Sequence, residues 1–237
     1  MNQRYALMIA LGGLAGCAKT ESADLLTSGI YAAISATATG DGNTTVSATL
    51  YVDDPNNLNF VELTGDDHLT ASSGSTQMPL TQSELGNIVS HTAVFAGDAE
   101  GTQYTVAFAR TVDAGAPSTT VALPPAFTVA PVAATVSRQA RLDITYGPAG
   151  TSDKIAYALE GVCINPLNGS VSDTGALTIP PNTIVAPDVG SANASPLTCK
   201  VTLTLSREHV GSLDPHYGKG GQALGQQQRV VSWTTTP

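Results

Sequence analysis

The sequence predicts an all-β protein built as two tandem β-sandwich domains. Three observations predict it. Apolar and polar residues alternate with a period of two in several separate runs. Clusters of Gly, Asp, Asn, Ser and Pro punctuate those runs. A proline-rich break near the middle leaves about 105 residues on each side, room for some seven strands apiece, the size of a sandwich domain.

Composition narrows the class. The chain has 237 residues, 10 basic and 19 acidic side chains, and a formal charge of −9. Its 23 Gly and 14 Pro are near average usage, which excludes a collagen-like or low-complexity chain. A hydrophobic content of 42% is too high for a disordered chain. The acidity argues against nucleic acid as a partner, because such a binder needs a basic face.

The amino terminus comes first in order. Met1-Asn2-Gln3-Arg4 carries one positive charge, and a small, apolar run follows from Tyr5 to Gly16. That is the layout of a secretory signal peptide over residues 1–16. The run is shorter than the roughly 20 apolar residues a spanning helix needs, and no other stretch approaches that length.

The run ends Leu14-Ala15-Gly16-Cys17, which resembles the bacterial lipobox. The resemblance covers the first 17 residues only, yet its pattern is specific: an apolar residue, two small ones, then Cys. It implies that Cys17 becomes the first residue of the mature chain, with a diacylglycerol on its thiol and an acyl chain on its amine. Two or more acyl chains anchor stably, at about 0.8 kcal/mol per buried methylene. By resemblance to enterobacterial sorting rules, Ala18 in the next position implies the outer membrane. The alternative is an ordinary signal peptide cut after Ala18. Residues 17–24 then read as lipidated Cys plus a polar tether, reaching at most about 25 Å.

Two modules follow, over residues 25–130 and 131–237. In the first, Val46, Ala48, Leu50 and Val52 alternate with polar neighbours, as do Tyr104, Val106 and Phe108. In the second, Leu142, Ile144 and Tyr146 do the same. Turn clusters such as Gly40-Asp41-Gly42-Asn43 and Asn168-Gly169-Ser170 separate the strands. Thr81-Gln82-Ser83-Glu84 fits a helical capping box, with Leu80 and Leu85 as its staple and Gly86-Asn87 as its stop, so one helical turn is expected there. Leu123-Pro124-Pro125 through Pro131 reads as a last strand and a stiff linker.

The arrangement is similar to the tandem immunoglobulin-like modules of bacterial surface proteins. It departs from true immunoglobulin domains, because the single Trp233 follows both later cysteines and does not lie between them. A single large sandwich is the rival architecture.

With Cys17 set aside, Cys163 and Cys199 remain, an even number in an exported chain, so a disulfide is expected. Parity supports it. Ile155, Tyr157, Leu159 and Cys163 share one side of a strand, and so do Cys199, Val201, Leu203 and Leu205. The alternative is two buried thiols.

Charge is shared unevenly. Residues 18–130 hold 2 basic and 12 acidic side chains, whereas residues 131–237 hold 7 of each. An acidic module does not adhere electrostatically to an anionic membrane. It suits a basic partner or divalent cations, or else simply keeps exported modules apart.

Candidate chemistry is sparse. There is no Gly-x-Ser-x-Gly elbow, no His-Glu-x-x-His motif and no Gly-x-Gly-x-x-Gly opening a helix. Asp66, Asp67 and His68, on a turn of the acidic module, are weak candidates for calcium. Glu208, His209, Asp214, His216 and Tyr217 cluster in a Gly- and Gln-rich stretch over 207–228, read as a long loop between two strands. Arg207 and Arg229 flank that stretch and are expected to be solvated or paired with Glu208.

The expectation is therefore a non-catalytic, lipid-anchored envelope protein, periplasmic or surface-facing. It would need no cofactor and would act by binding a protein or glycan partner in adhesion, envelope structure or assembly. Two alternatives stand: a calcium- or carbohydrate-binding accessory of an envelope enzyme, and an enzyme with its site in the 207–228 loop.

Overall fold

The computed structural model describes residues 19–57, 59–86, 88–187 and 198–237. The first described half holds the strands β1 (Lys19–Glu21), β2 (Ile30–Ala38), β3 (Asn43–Val52), β4 (Phe60–Glu62), β5 (His68–Ser73), β6 (Thr76–Pro79), β7 (Thr81–Leu85), β8 (Ile88–Ala96), β9 (Gln103–Ala109) and β10 (Ala116–Ala122). The second holds β11 (Thr128–Val129), β12 (Thr135–Ser137), β13 (Leu142–Gly147), β14 (Lys154–Gly161), β15 (Leu167–Ser172), β16 (Ala176–Ile179), β17 (Cys199–Val210) and β18 (Gln222–Thr236). Helix is confined to three 3-10 turns among the described residues. The fold is all-β, with sheets packed face to face as in a sandwich.

One large sheet runs β1-β4-β3-β2-β18-β17-β14-β15, with β8 and β7 beyond β3 and β12 beside β18. Two smaller sheets, β10-β9-β5-β6 and β11-β13-β16, complete the topology. Alternation explains the packing. Val46, Ala48 and Leu50 of β3 are fully buried, as are Tyr104, Val106 and Phe108 of β9, and they meet in a first core. Leu142, Ile144 and Tyr146 of β13 meet Ile155, Leu203 and Trp233 in a second.

The long hairpin β17–β18 belongs to both cores. Its residues pair from Cys199↔Thr235 to Val210↔Leu224. The first half of β18 also pairs in parallel with β2, and Ala223 and Tyr217 lie in the first core, although both follow residue 130. The second half places Trp233 in the second core. Gly225 makes the crossing feasible: a β-carbon there would overlap the Ala122 carbonyl oxygen of β10.

The Cys163–Cys199 disulfide is present, with Cα atoms 5.8 Å apart, and Cys163 is fully buried in the second core. Three expectations need correction. The segment expected to be a tether is folded from Lys19 onward: β1 pairs with β4, and the buried Ser22 hydroxyl accepts the Thr64 N–H at 3.0 Å. The expected helical turn at Thr81–Glu84 is strand β7, which pairs with β8 up to Leu85↔Ile88. Five residues before a two-residue Gly-Asn connection suit a hairpin, and the ladder satisfies backbone groups that one helical turn would leave open. The expected 207–228 loop is mostly hairpin, and only residues 211–221 connect its strands.

Candidate functional site

Where the two cores meet, the chain forms an open cleft of about 580 Å³. Its floor is the end of β10 and the connection that follows, Ala122 to Pro125, and its rim carries Glu100, Thr151, Ser152, Asp153 and His209. A second hollow of about 330 Å³ shares Ser152, Asp153 and His209 and adds Lys154, Glu208, Val210 and Leu224. Ser152, Asp153 and His209 therefore lie between them.

Its position follows from strand register. Lys154 of β14 lies opposite Glu208 of β17, so Asp153 comes level with His209. The His209 Nδ1 lies 2.8 Å from Asp153 Oδ1, with the imidazole half exposed and the carboxylate largely buried. A carboxylate on one ring nitrogen orients the ring and sets which nitrogen carries the proton.

A chain of hydrogen bonds supports this pair from within. Asp153 N–H donates to Thr151 Oγ1 at 3.3 Å, and the Thr151 hydroxyl donates to Asp173 Oδ2 at 2.6 Å. Asp173 in turn pairs with Arg207 at 3.1 Å, both side chains fully buried. Arg207 also donates to the Pro125 carbonyl at 2.7 Å and the Pro148 carbonyl at 2.6 Å, and its guanidinium lies 5.0 Å from the Phe127 ring centre. Burial pushes the Asp173 carboxyl up, but the bonds from Thr151 and Arg207 outweigh it and hold the group below its usual range. One buried arginine thus ties the floor of the cleft to its rim. The expectation that Arg207 is solvated or paired with Glu208 is wrong: Glu208 accepts from Gln226 instead, at 2.9 Å. Arg229 is half-buried and lies 5.4 Å from the same Phe127 ring.

The other sequence candidates fall elsewhere. Asp214 is buried and fastens the 211–221 connection to β10. It accepts the Ser118 N–H and hydroxyl at 2.8 and 2.6 Å, and the His216 N–H at 2.9 Å; His216 Nδ1 lies 2.8 Å away. Burial works against its ionised form, yet these bonds hold its pKa down at about 2. Tyr217 is buried, its ring stacked on Phe108 at 6.2 Å, and burial pushes its hydroxyl well up. Of the five loop candidates, only His209 lines the cleft, and Glu208 lines the second hollow.

Asp66, Asp67 and His68 do not converge on an open site. Asp67 is buried and accepts from Arg110 Nε at 3.0 Å, while the His68 ring bonds the Asp66 carbonyl at 2.7 Å. Among the described residues, no group of three or more His, Cys, Asp or Glu side chains is placed to hold a metal ion. Cys17 lies outside the described residues. No helix among the described residues is long and apolar enough to cross a membrane.

Sequence reasoning missed Glu100 and Thr151–Asp153. Each sits on a turn with no motif of its own, and only the pairing of distant strands gathers them. The proline run at 124–125 marked the junction without showing that it forms a floor.

Fold and cleft together define a class: an all-β sandwich protein with an open, polar-rimmed groove where its two cores join. No known family model matches the chain, and no curated protein matches it. Among solved structures, the adhesin InvE of Yersinia pseudotuberculosis is similar at 15% identity and a TM-score of 0.23, over 84% of this chain and 58% of that one. SGBP-B of a Bacteroides ovatus mixed-linkage glucan utilization locus, solved with a mixed-linkage heptasaccharide, is similar at 10% identity and a TM-score of 0.21. That match covers 96% of this chain and 69% of SGBP-B. The chain thus spans less than two thirds of the adhesin chain. At such scores neither likeness bears on what this chain binds.

Proposed function

We propose that this chain is a non-catalytic envelope protein, anchored by lipid at Cys17, that acts by binding a protein partner in the cleft between its cores. The lipobox supports the anchor, and through Ala18 it supports the outer membrane as the location. The carrying observation for binding is the cleft itself, whose floor and rim are both tied to buried Arg207. A rigid, pre-formed groove lowers the ordering cost of association.

The lining favours a peptide segment over a sugar. No Trp, Tyr or Phe ring is among its lining residues, so the broad platform on which sugar rings stack is missing from it. Glu100 presents an exposed carboxylate beside the apolar floor of Leu123, Pro124 and Pro125, and Glu208 lines the adjoining hollow, which suits a segment carrying basic side chains.

A photo-crosslinking residue at the exposed Ser152, in the full chain in its native envelope, tests this. A discrete adduct from position 152, absent from the same probe at Val162 and abolished by Glu100→Lys, is the expected result. Identical adducts from both positions, or none from position 152, would refute a binding role for the cleft.

A further inference from the structure

The tip of the β7–β8 hairpin is unusual. Leu85 is 81% exposed and Ile88 49% exposed, and the two face each other across the turn at Gly86. Singly exposed aliphatics are ordinary on a folded surface, but here two stand together at one hairpin tip. The fold places this tip next to the start of the described chain. Lys19 Nζ lies 2.6 Å from Glu84 Oε2, one residue before Leu85.

Register gives the direction. Lys19 of β1 lies opposite Phe60, and Phe60 lies opposite Tyr51 near the end of β3. Strand β8 runs antiparallel to β3 with Ala48 opposite His91, so the Ile88 end of β8 lies toward the Tyr51 end of β3. Strand β1 runs parallel to β4. The Lys19 end of β1 therefore lies at the same end of the sheet as the hairpin tip. Two residues span at most about 7 Å, so Cys17 is tied to within that distance of Lys19.

We infer that the hairpin tip is a second membrane contact: Leu85 and Ile88 enter the lipid surface beside the acyl chains on Cys17 and fix the orientation of the body on the bilayer. The inference rests on the anchor reading above. A single flexible attachment leaves a body free to tumble, whereas an anchor plus an adjacent apolar contact holds one face toward the lipid. Charge agrees with an apolar contact. Lys19 and Glu84 neutralise each other, and Asp53 and Asp54 follow β3 at the same end, so nothing there draws an anionic headgroup. The occupant is a zwitterionic lipid interface.

The test uses the full chain purified from the membranes of a host that processes lipoproteins, with mass spectrometry reporting acylation of Cys17. Leu85→Cys, and separately Ile88→Cys, carries a nitroxide label, with Val162→Cys as the exposed control in the second core's module. The acylated chains are placed in phosphatidylcholine vesicles, and collisions of the label with oxygen and with a water-soluble nickel chelate are compared. Expected is an oxygen-rich, nickel-poor signal at positions 85 and 88 and the reverse at 162. An acylated chain whose labels at 85 and 88 are as nickel-accessible as the control overturns the docking and leaves the anchor standing. A chain without acylation overturns both. Labels at 85 or 88 immobilised in solution without vesicles would assign the tip to a protein contact and also overturn the inference.

Discussion

Replacing Arg207 by Met should be among the most damaging single changes in this chain. Arg207 and Asp173 are both fully buried and 3.1 Å apart. Removing one partner of such a pair leaves an uncompensated charge in a low-dielectric interior, at a cost of about 3–5 kcal/mol. The Pro125 and Pro148 carbonyls also lose a charged donor. Each loss is worth about 1–3 kcal/mol, but the groups relax together, so the figures do not add. A total on the order of 4 kcal/mol is expected, against a net stability of about 5–15 kcal/mol for a typical domain. Urea unfolding of the full chain, followed by circular dichroism, measures it. The double variant Arg207→Met with Asp173→Asn removes the stranded charge, so it should be more stable than Arg207→Met alone. A single-variant cost below about 1 kcal/mol would show that solvent reaches the pair, contrary to its burial. A double variant less stable than Arg207→Met alone would show that the stranded carboxylate is not the source of the cost.

His91 predicts an acid-dependent loss of stability. It is 1% exposed on β8, and both ring nitrogens lack a hydrogen-bond partner. Burial lowers its pKa below the ordinary value of 6.5, partly offset by the nearby Ala48 backbone. The folded state therefore holds the ring neutral while the unfolded chain takes up a proton. Stability is full above about pH 6.5 and falls below it, by at most about 1.4 kcal/mol per pH unit for one proton. His91→Leu should flatten the denaturation midpoint between about pH 7 and about pH 5, and an unchanged slope would assign the loss elsewhere. The disulfide closes a separation of 36 residues, so Cys163→Ala with Cys199→Ala should cost about 4 kcal/mol on the chain-entropy model. Melting of the oxidised and double-variant chains checks it, and equal midpoints would contradict the assignment.

Strands whose faces differ in polarity were legible. Val46, Ala48 and Leu50, or Leu142, Ile144 and Tyr146, alternate in sequence and point inward in space. The disulfide was legible for the same reason, because parity put each cysteine with its apolar neighbours. Features set by distant partners were not. Asp67 reads as a turn carboxylate until Arg110, 43 residues away, is brought against it. The capping-box pattern at Thr81 is local, while the β7–β8 pairing that overrides it depends on a strand beyond the turn. Of the candidate site, His209 alone was named from the cleft's principal rim.

The Gln- and Gly-rich stretch shows why the junction itself was misread. Polarity without alternation suggests a loop, yet Gln226, Gln227 and Gln228 lie within β18. At this point the strand passes from one core to the other, and its side chains meet polar partners. Polar side chains serve better there. Buried Gln227 donates to the Asp98 carbonyl at 2.9 Å, Gln226 to Glu208 at 2.9 Å and Gln228 to Ser206 at 3.2 Å. Gly225, just before them, admits the β10 backbone that becomes the cleft floor. A strand that serves two cores must lose its apolar period where it crosses between them. In this chain that loss of period coincides with the groove that opens between the two cores.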